Sequence, residues 1–137
     1  MKECFVACPV GEGGSKTRER SDKLLEYIIT PICKKLGYAE PVRCDKIFDV
    51  DRIDQTVFRY LKNSDLVITD VTGNNPNVFL ELGYRMSIGK PYVLLTEDSC
   101  DDLPFDIANL RAIKYNLSDV VQNDFVKYAL EETIKNA

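Results

Sequence analysis

The chain has 137 residues, 45% of them apolar, with 22 acidic against 18 basic side chains and a net charge of −4. That length and apolar share predict one domain spanning residues 1–137, and the acidic balance without a basic block excludes a nucleic-acid polymer as partner while leaving a nucleotide-sized ligand open. The five cysteines (Cys4, Cys8, Cys33, Cys44 and Cys100) are odd in number and contain no CxxC pair, and histidine is absent; this argues against a disulfide framework and structural zinc, and excludes Ser-His-Asp and Cys-His catalysis.

The opening Met1-Lys2-Glu3 lacks the apolar stretch of a signal peptide, and no apolar run approaches the roughly 20 residues of a membrane helix. A cytoplasmic protein without membrane contact is expected. Cys4 to Cys8 reads as a buried strand, with Cys4 and Cys8 on one face as small hydrophobes. It leads into Pro9-Val10-Gly11-Glu12-Gly13-Gly14-Ser15, a glycine-rich loop shaped like a phosphate cradle but matching neither GxGxxG nor GxxxxGK[ST]. A helix is predicted from about Lys16 to Leu36, with Leu24, Leu25, Ile28, Ile29, Ile32 and Leu36 on one face, Pro31 kinking or dividing it, and Gly37 at its C-terminal turn.

Pro41 to Cys44 is a short second strand, Asp45 to Asp51 a loop, and Arg52 to Asn63 a helix with Ile53, Val57, Tyr60 and Leu61 inward. Leu66-Val67-Ile68 and Val71 then form a third buried strand that ends in Asp70, followed by the turn Thr72-Gly73-Asn74-Asn75-Pro76 and a helix from near Asn77 to Gly89 carrying Val78, Phe79, Leu82 and Met86. Pro91 to Thr96 is a fourth strand and Arg111 to Leu117 a fifth, separated by an acidic loop from Glu97 to Asp102 and the segment Leu103-Pro104-Phe105-Asp106. Ser118 to about Lys135 closes the chain as a helix through Val121, Phe125, Val126, Tyr128, Leu130 and Ile134.

Five strands alternating with helices imply an α/β fold, a single flavodoxin-like three-layer domain with a parallel sheet in the order 2-1-3-4-5. In that order the switch point lies between the first and third strands. The Gly11–Ser15 and Thr72–Asn77 loops then face one another across a crevice at the carboxyl ends of the strands. A phosphoacceptor receiver, which also ends its third strand in aspartate, is disfavoured because the first strand ends in Ala7-Cys8-Pro9-Val10, without the acidic pair that holds Mg²⁺.

The run Asp70-Val71-Thr72-Gly73-Asn74-Asn75-Pro76-Asn77-Val78-Phe79-Leu80-Glu81-Leu82-Gly83, followed by Gly89-Lys90-Pro91, resembles the signature of the nucleoside 2-deoxyribosyltransferase-like superfamily, including its branch related to bacterial TIR-like domains. The Gly13-Gly14-Ser15 loop with Arg18, Arg43 with Asp45, and Leu103-Pro104-Phe105-Asp106 with Arg111 follow in the order of that branch. The resemblance implies an enzyme of N-glycosidic bond chemistry on a nucleoside, a nucleoside 5′-monophosphate or NAD, with Glu81 acting at the anomeric carbon and neither metal nor cofactor required. It also implies a homodimer or higher homo-oligomer.

On chemical grounds, a carboxylate facing a C1′–N bond stabilises an oxocarbenium-like transition state or attacks it covalently. Glu81 suits that role, and its place in the first turns of a helix is expected to keep it ionised. Asp70 either orients the sugar and protonates the leaving base or simply bonds its own turn; Asp45 and Asp106 are candidates for the same duty. Arg18 and Arg43, with the Gly13–Ser15 amides, are candidates to hold a 5′-phosphate, against the bland readings of a rim ion pair for each arginine and a helix cap for Ser15. Asn77 is placed at the crevice or at the helix cap. The alternative to an enzyme is a binding or signalling module that holds a nucleotide without turning it over.

Overall fold

The computed structural model describes residues 1–46, 53–98 and 111–137. The Leu103–Asp106 segment with its candidate Asp106, most of the Asp45–Asp51 loop, the start of the helix at Arg52, Cys100 and the side chain of Ile53 lie outside the described residues. The strands are β1 (Cys4–Ala7), β2 (Val42–Arg43), β3 (Leu66–Asp70), β4 (Tyr92–Thr96) and β5 (Ala112–Lys114). They form one parallel sheet in the expected order β2-β1-β3-β4-β5. β1 is buried along its whole length, as a strand covered on both faces must be.

Alternation of side chains divides the core in two. Cys4, Val6 and Cys8 of the first strand region, with Leu66, Ile68, Val93 and Leu95, pack on one face against Ile28, Ile29, Ile32 and the closing helix. Phe5, Ala7 and Val67 pack on the other against Val57 and Leu61, while Val71 and Leu94 meet Val78 and Leu82.

The first helix is divided, as Pro31 suggests. It runs as α1 (Lys16–Leu24), a π-helical turn (Leu25–Ile29) and α2 (Thr30–Lys35). Pro31 has no N–H to return to the preceding turn, and the widened turn just before it is closed by the Thr30 N–H on the Leu25 carbonyl. Gly37 and Gly89 take left-handed conformations just past their helices, as expected of C-terminal glycines.

α3 spans Ile53–Asn63 and α4 Pro76–Ile88. α4 starts one residue after Asn75, whose side-chain oxygen accepts from the Asn77 and Val78 N–H groups, so Asn75 and not Asn77 is the cap. Its buried stripe also differs from expectation: Met86 is at the surface and Arg85 is fully buried. At about 100° per residue, Arg85 lies only about 20° from Val78 around the helix and Met86 about 80°. The Arg85 guanidinium is held by backbone carbonyls, bonding Leu61 O at 2.7 Å and Pro91 O at 2.9 Å and 3.2 Å.

The closing helix, α5 (Val120–Lys135), buries Val126, Leu130 and Ile134 at i, i+4 spacing. Val121, Phe125 and Tyr128, expected inward, are exposed together with Val120 because they fall on the far side of that stripe. β5 is shorter than the predicted Arg111–Leu117, yet Tyr115 just beyond it is buried and turned towards β3.

Candidate functional site

The carboxyl ends of β1, β3 and β4 lie level with one another, with Ala7 opposite Thr69 and Asp70 opposite Leu95. The loop leaving β1 turns at Gly11, whose φ of +69° and contact space, where an added Cβ would stand 2.8 Å from Ser15 Oγ, admit glycine alone. Ser15 caps α1, its Oγ accepting from the Arg18 N–H at 3.1 Å and donating to Glu12 O at 2.7 Å. Gly13 and Gly14 are exposed beside it, and Gly14, Ser15 and Arg18 line a concavity of about 410 Å³ on the outer side of α1.

Both arginines expected to hold a phosphate are committed to the fold. Arg18 bonds Val10 O at 3.3 Å, Gly11 O at 3.1 Å and Asp45 Oδ2 at 3.2 Å, fastening the glycine loop to the end of β2. Arg43 is 1% exposed and forks onto Asp45, with Ser21 Oγ at 2.9 Å and Asp22 Oδ1 at 2.8 Å taking its remaining donors. Burial works against the Arg43 charge, but the Asp45 and Asp22 carboxylates overcome it and hold the guanidinium above its ordinary value. Asp45 thereby joins both arginines and belongs to this clamp.

Asp70 is likewise turned inward, with no exposed surface. Its Oδ1 accepts from the Thr72 N–H at 3.1 Å and the Thr72 hydroxyl at 2.6 Å, and its Oδ2 from the Tyr115 hydroxyl at 2.8 Å. Burial pushes its carboxyl above the usual range, opposed by those hydrogen bonds. Thr72 Oγ1 also accepts the Glu97 N–H at 2.9 Å, and the Gly73 N–H donates to Asp98 at 2.7 Å. The network therefore ties the loop before α4 to the ends of β4 and β5. Arg20, which sequence reasoning passed over, stands beside it, with Nε 3.9 Å from Asp70 Oδ2 and 4.0 Å from Glu97 Oε1.

Glu81 differs from these residues. It sits half-buried on α4, and among the described residues no donor or cation meets its carboxylate. Burial alone raises its pKa to about 7. The expectation that the helix dipole keeps it fully ionised is corrected: α4 begins at Pro76, so Glu81 lies beyond the first turn, where the dipole has faded, and desolvation decides. Its charge is felt by the half-buried Cys44 thiol, which in turn hydrogen-bonds with Cys8, and Cys8 Sγ lies 3.3 Å from Ser21 Oγ. Asn77 is exposed on the first turn of α4. Among the described residues no group of three Cys, Asp or Glu side chains is arranged to hold a metal ion.

No family model matches the sequence, and no curated protein matches it. Solved structures do match. A CMP N-glycosidase, BcmB, from Clostridium botulinum superposes with a TM-score of 0.63 at 19% identity, covering 96% of this chain and 99% of its own. A 2-deoxyribosyltransferase from Bacillus psychrosaccharolyticus gives 0.61 at 15% identity over 86% of this chain and 89% of its own, and one from Leishmania mexicana 0.56 at 15% over 72% and 67%. The chain shares the fold of these three enzymes.

Proposed function

We propose that this protein cleaves or transfers at the N-glycosidic bond of a nucleoside, a nucleoside 5′-monophosphate or NAD, with Glu81 as the carboxylate that acts on C1′. One observation carries the reading: a half-buried carboxylate without a partner among the described residues, its pKa raised by burial to about 7, stands on the helix that leaves the central strand, where ligands of parallel α/β sheets bind. The Glu81-Leu82-Gly83 motif and the fold shared with three enzymes of this chemistry support it. Membership of the deoxyribosyltransferase-like superfamily, in its TIR-like branch, is part of the proposal.

In this mechanism the C1′–N bond breaks with its electron pair leaving on the base, and an ionised Glu81 oxygen either bonds to C1′ or stabilises the oxocarbenium charge. Water or a second base then attacks C1′ and releases the carboxylate. A carboxylate without a protein partner is a stronger nucleophile than one held in an ion pair. Asp70, sealed beneath Thr72 and Tyr115, acts as the pedestal of the loop before α4 and not as an acid to the base. Free base released from a panel of deoxynucleosides, their 5′-monophosphates and NAD by the wild type, and lost in Glu81→Gln, tests the reading. Release that persists in the variant contradicts it.

A further inference from the structure

The outer side of α5 is apolar and open. Val121, Phe125 and Tyr128 are 79%, 63% and 62% exposed and stand at i, i+4 and i+7, opposite the buried Val126, Leu130 and Ile134, with Val120 at 77% beside them. The other large apolar side chains at the surface among the described residues are scattered. Met1, Tyr27, Leu80 and Met86 come from three separate segments, and Leu80 and Met86 lie about 120° apart around α4. Single apolar residues at a surface are ordinary, whereas a contiguous stripe marks an interaction site. The two valines and two aromatic rings of α5 expose roughly 500 Å² between them.

The charges beside the stripe are complementary to themselves. Asp124 and then Lys127 stand on one flank of it, and neither has an ion-pair partner among the described residues. When two copies of a helix cross antiparallel about a two-fold axis, equal flanks lie side by side and residues equally far from the axis face one another. With the axis at Phe125, the two Phe125 rings meet. Val121 then comes within one residue's rise, about 1.5 Å, of the level of Tyr128 on the second copy, and Asp124 equally close to the level of its Lys127. A parallel pair sets Asp124 against Asp124 and gains no such pairing. Two stripes together bury about 1,000 Å², the lower bound of a specific interface.

We propose that the face of α5 carrying Val121, Phe125 and Tyr128 docks a second copy of this chain, by antiparallel pairing of the two α5 helices about Phe125. The assignment is independent of the function proposed above. α5 packs with Ile28, Ile29 and Ile32 on one face of the sheet, whereas the helix that carries Glu81 packs through Val78 and Leu82 on the other, so the pairing leaves that helix uncovered.

Sedimentation velocity of the full chain from about 1 to 200 µM tests it, with wild type expected to pass from monomer to dimer in that range. Phe125→Asp weakens the association by roughly 30-fold or more. Asp124→Lys and Lys127→Asp weaken it singly by about 3- to 10-fold, because each sets like charges opposite one another twice per dimer. The double variant Asp124→Lys/Lys127→Asp returns to within about threefold of wild type. Circular dichroism and unfolding midpoints serve as controls that these surface variants fold; should Phe125→Asp not fold, the charge-reversal set decides alone. A wild type that stays monomeric throughout, or a dimer undiminished by Phe125→Asp, overturns the docking face. Single reversals without effect, or a double variant no better than the singles, overturn the antiparallel geometry.

Discussion

Asp70 ends the central strand and Glu81 stands on the helix that follows it, but burial treats the two carboxylates differently. Asp70 has two hydroxyls and an N–H to hold its charge, whereas Glu81 has no donor among the described residues. The Glu81 pKa of about 7, against 4.5 for a free glutamate, sets two pH dependences of known sign. Because the folded-state value is raised, ionisation costs stability; the cost is absent below about pH 4.5, grows through the interval and is complete above about pH 7. Glu81→Gln is therefore expected to be more stable than wild type at pH 8 by about 1–3 kcal/mol, after allowance for partial solvent exposure, with the difference vanishing near pH 4 in urea unfolding. Because the proposed role needs the ionised form, kcat/KM should rise with pH to a plateau, with an apparent pKa near 7. Activity that falls through the same range would make Glu81 a proton donor instead. The motif singles out Glu81 in the sequence; its raised pKa could not be read there, because the sequence shows the helix start but not how much protein covers the sixth residue.

At the scale of elements, the Tyr115–Asp70–Thr72 network and the clamp of Arg43 and Arg18 on Asp45 fasten the loops that follow β3 and β1. Tyr115→Phe removes a hydrogen bond that lowers the Asp70 pKa, so Asp70 moves further up and its ionised form becomes more costly. A loss of about 1–3 kcal/mol is expected from a hydrogen bond to a charged group, larger at pH 8 than at pH 5, as measured by urea unfolding. Arg43→Ala leaves Asp45 without its fork and opens a buried site, with an expected loss of about 3 kcal/mol. If Arg43 instead served mainly as a ligand contact, stability would be nearly unchanged and only KM would move.

These elements show where sequence reading stops. Strand and helix identities followed from period and punctuation: the β-branched run before Asp70, Gly37, Gly89 and Pro31 each marked a real boundary or break. The partners of charged side chains did not follow, since they depend on which loops the topology brings together. Arg18 and Arg43 carry the right charge for a phosphate and both bond Asp45 in the fold, while Arg20 gave no signal because its distinction is a buried Nε without a hydrogen-bond partner among the described residues. Val121, Phe125 and Tyr128 were misplaced because α5 carries apolar residues on more than one face, and only packing selects Val126, Leu130 and Ile134.

For the molecule as a whole, the order β2-β1-β3-β4-β5 was legible because short connections and right-handed crossovers leave few arrangements for five parallel strands. That order brings the loops after β1 and β3 to the same end of the sheet, the end at which parallel α/β sheets in general bind their ligands, and the fold is shared with enzymes of quite different sequence. Fold alone does not assign chemistry. The assignment rests on Glu81, and the most direct test is chromatographic detection of free base or nicotinamide released from deoxynucleosides, 5′-monophosphates and NAD by wild type and Glu81→Gln. Release by wild type that falls by roughly a hundredfold or more in a folded Glu81→Gln variant is predicted. Equal release by both proteins, or none by wild type at high enzyme concentration, would contradict it.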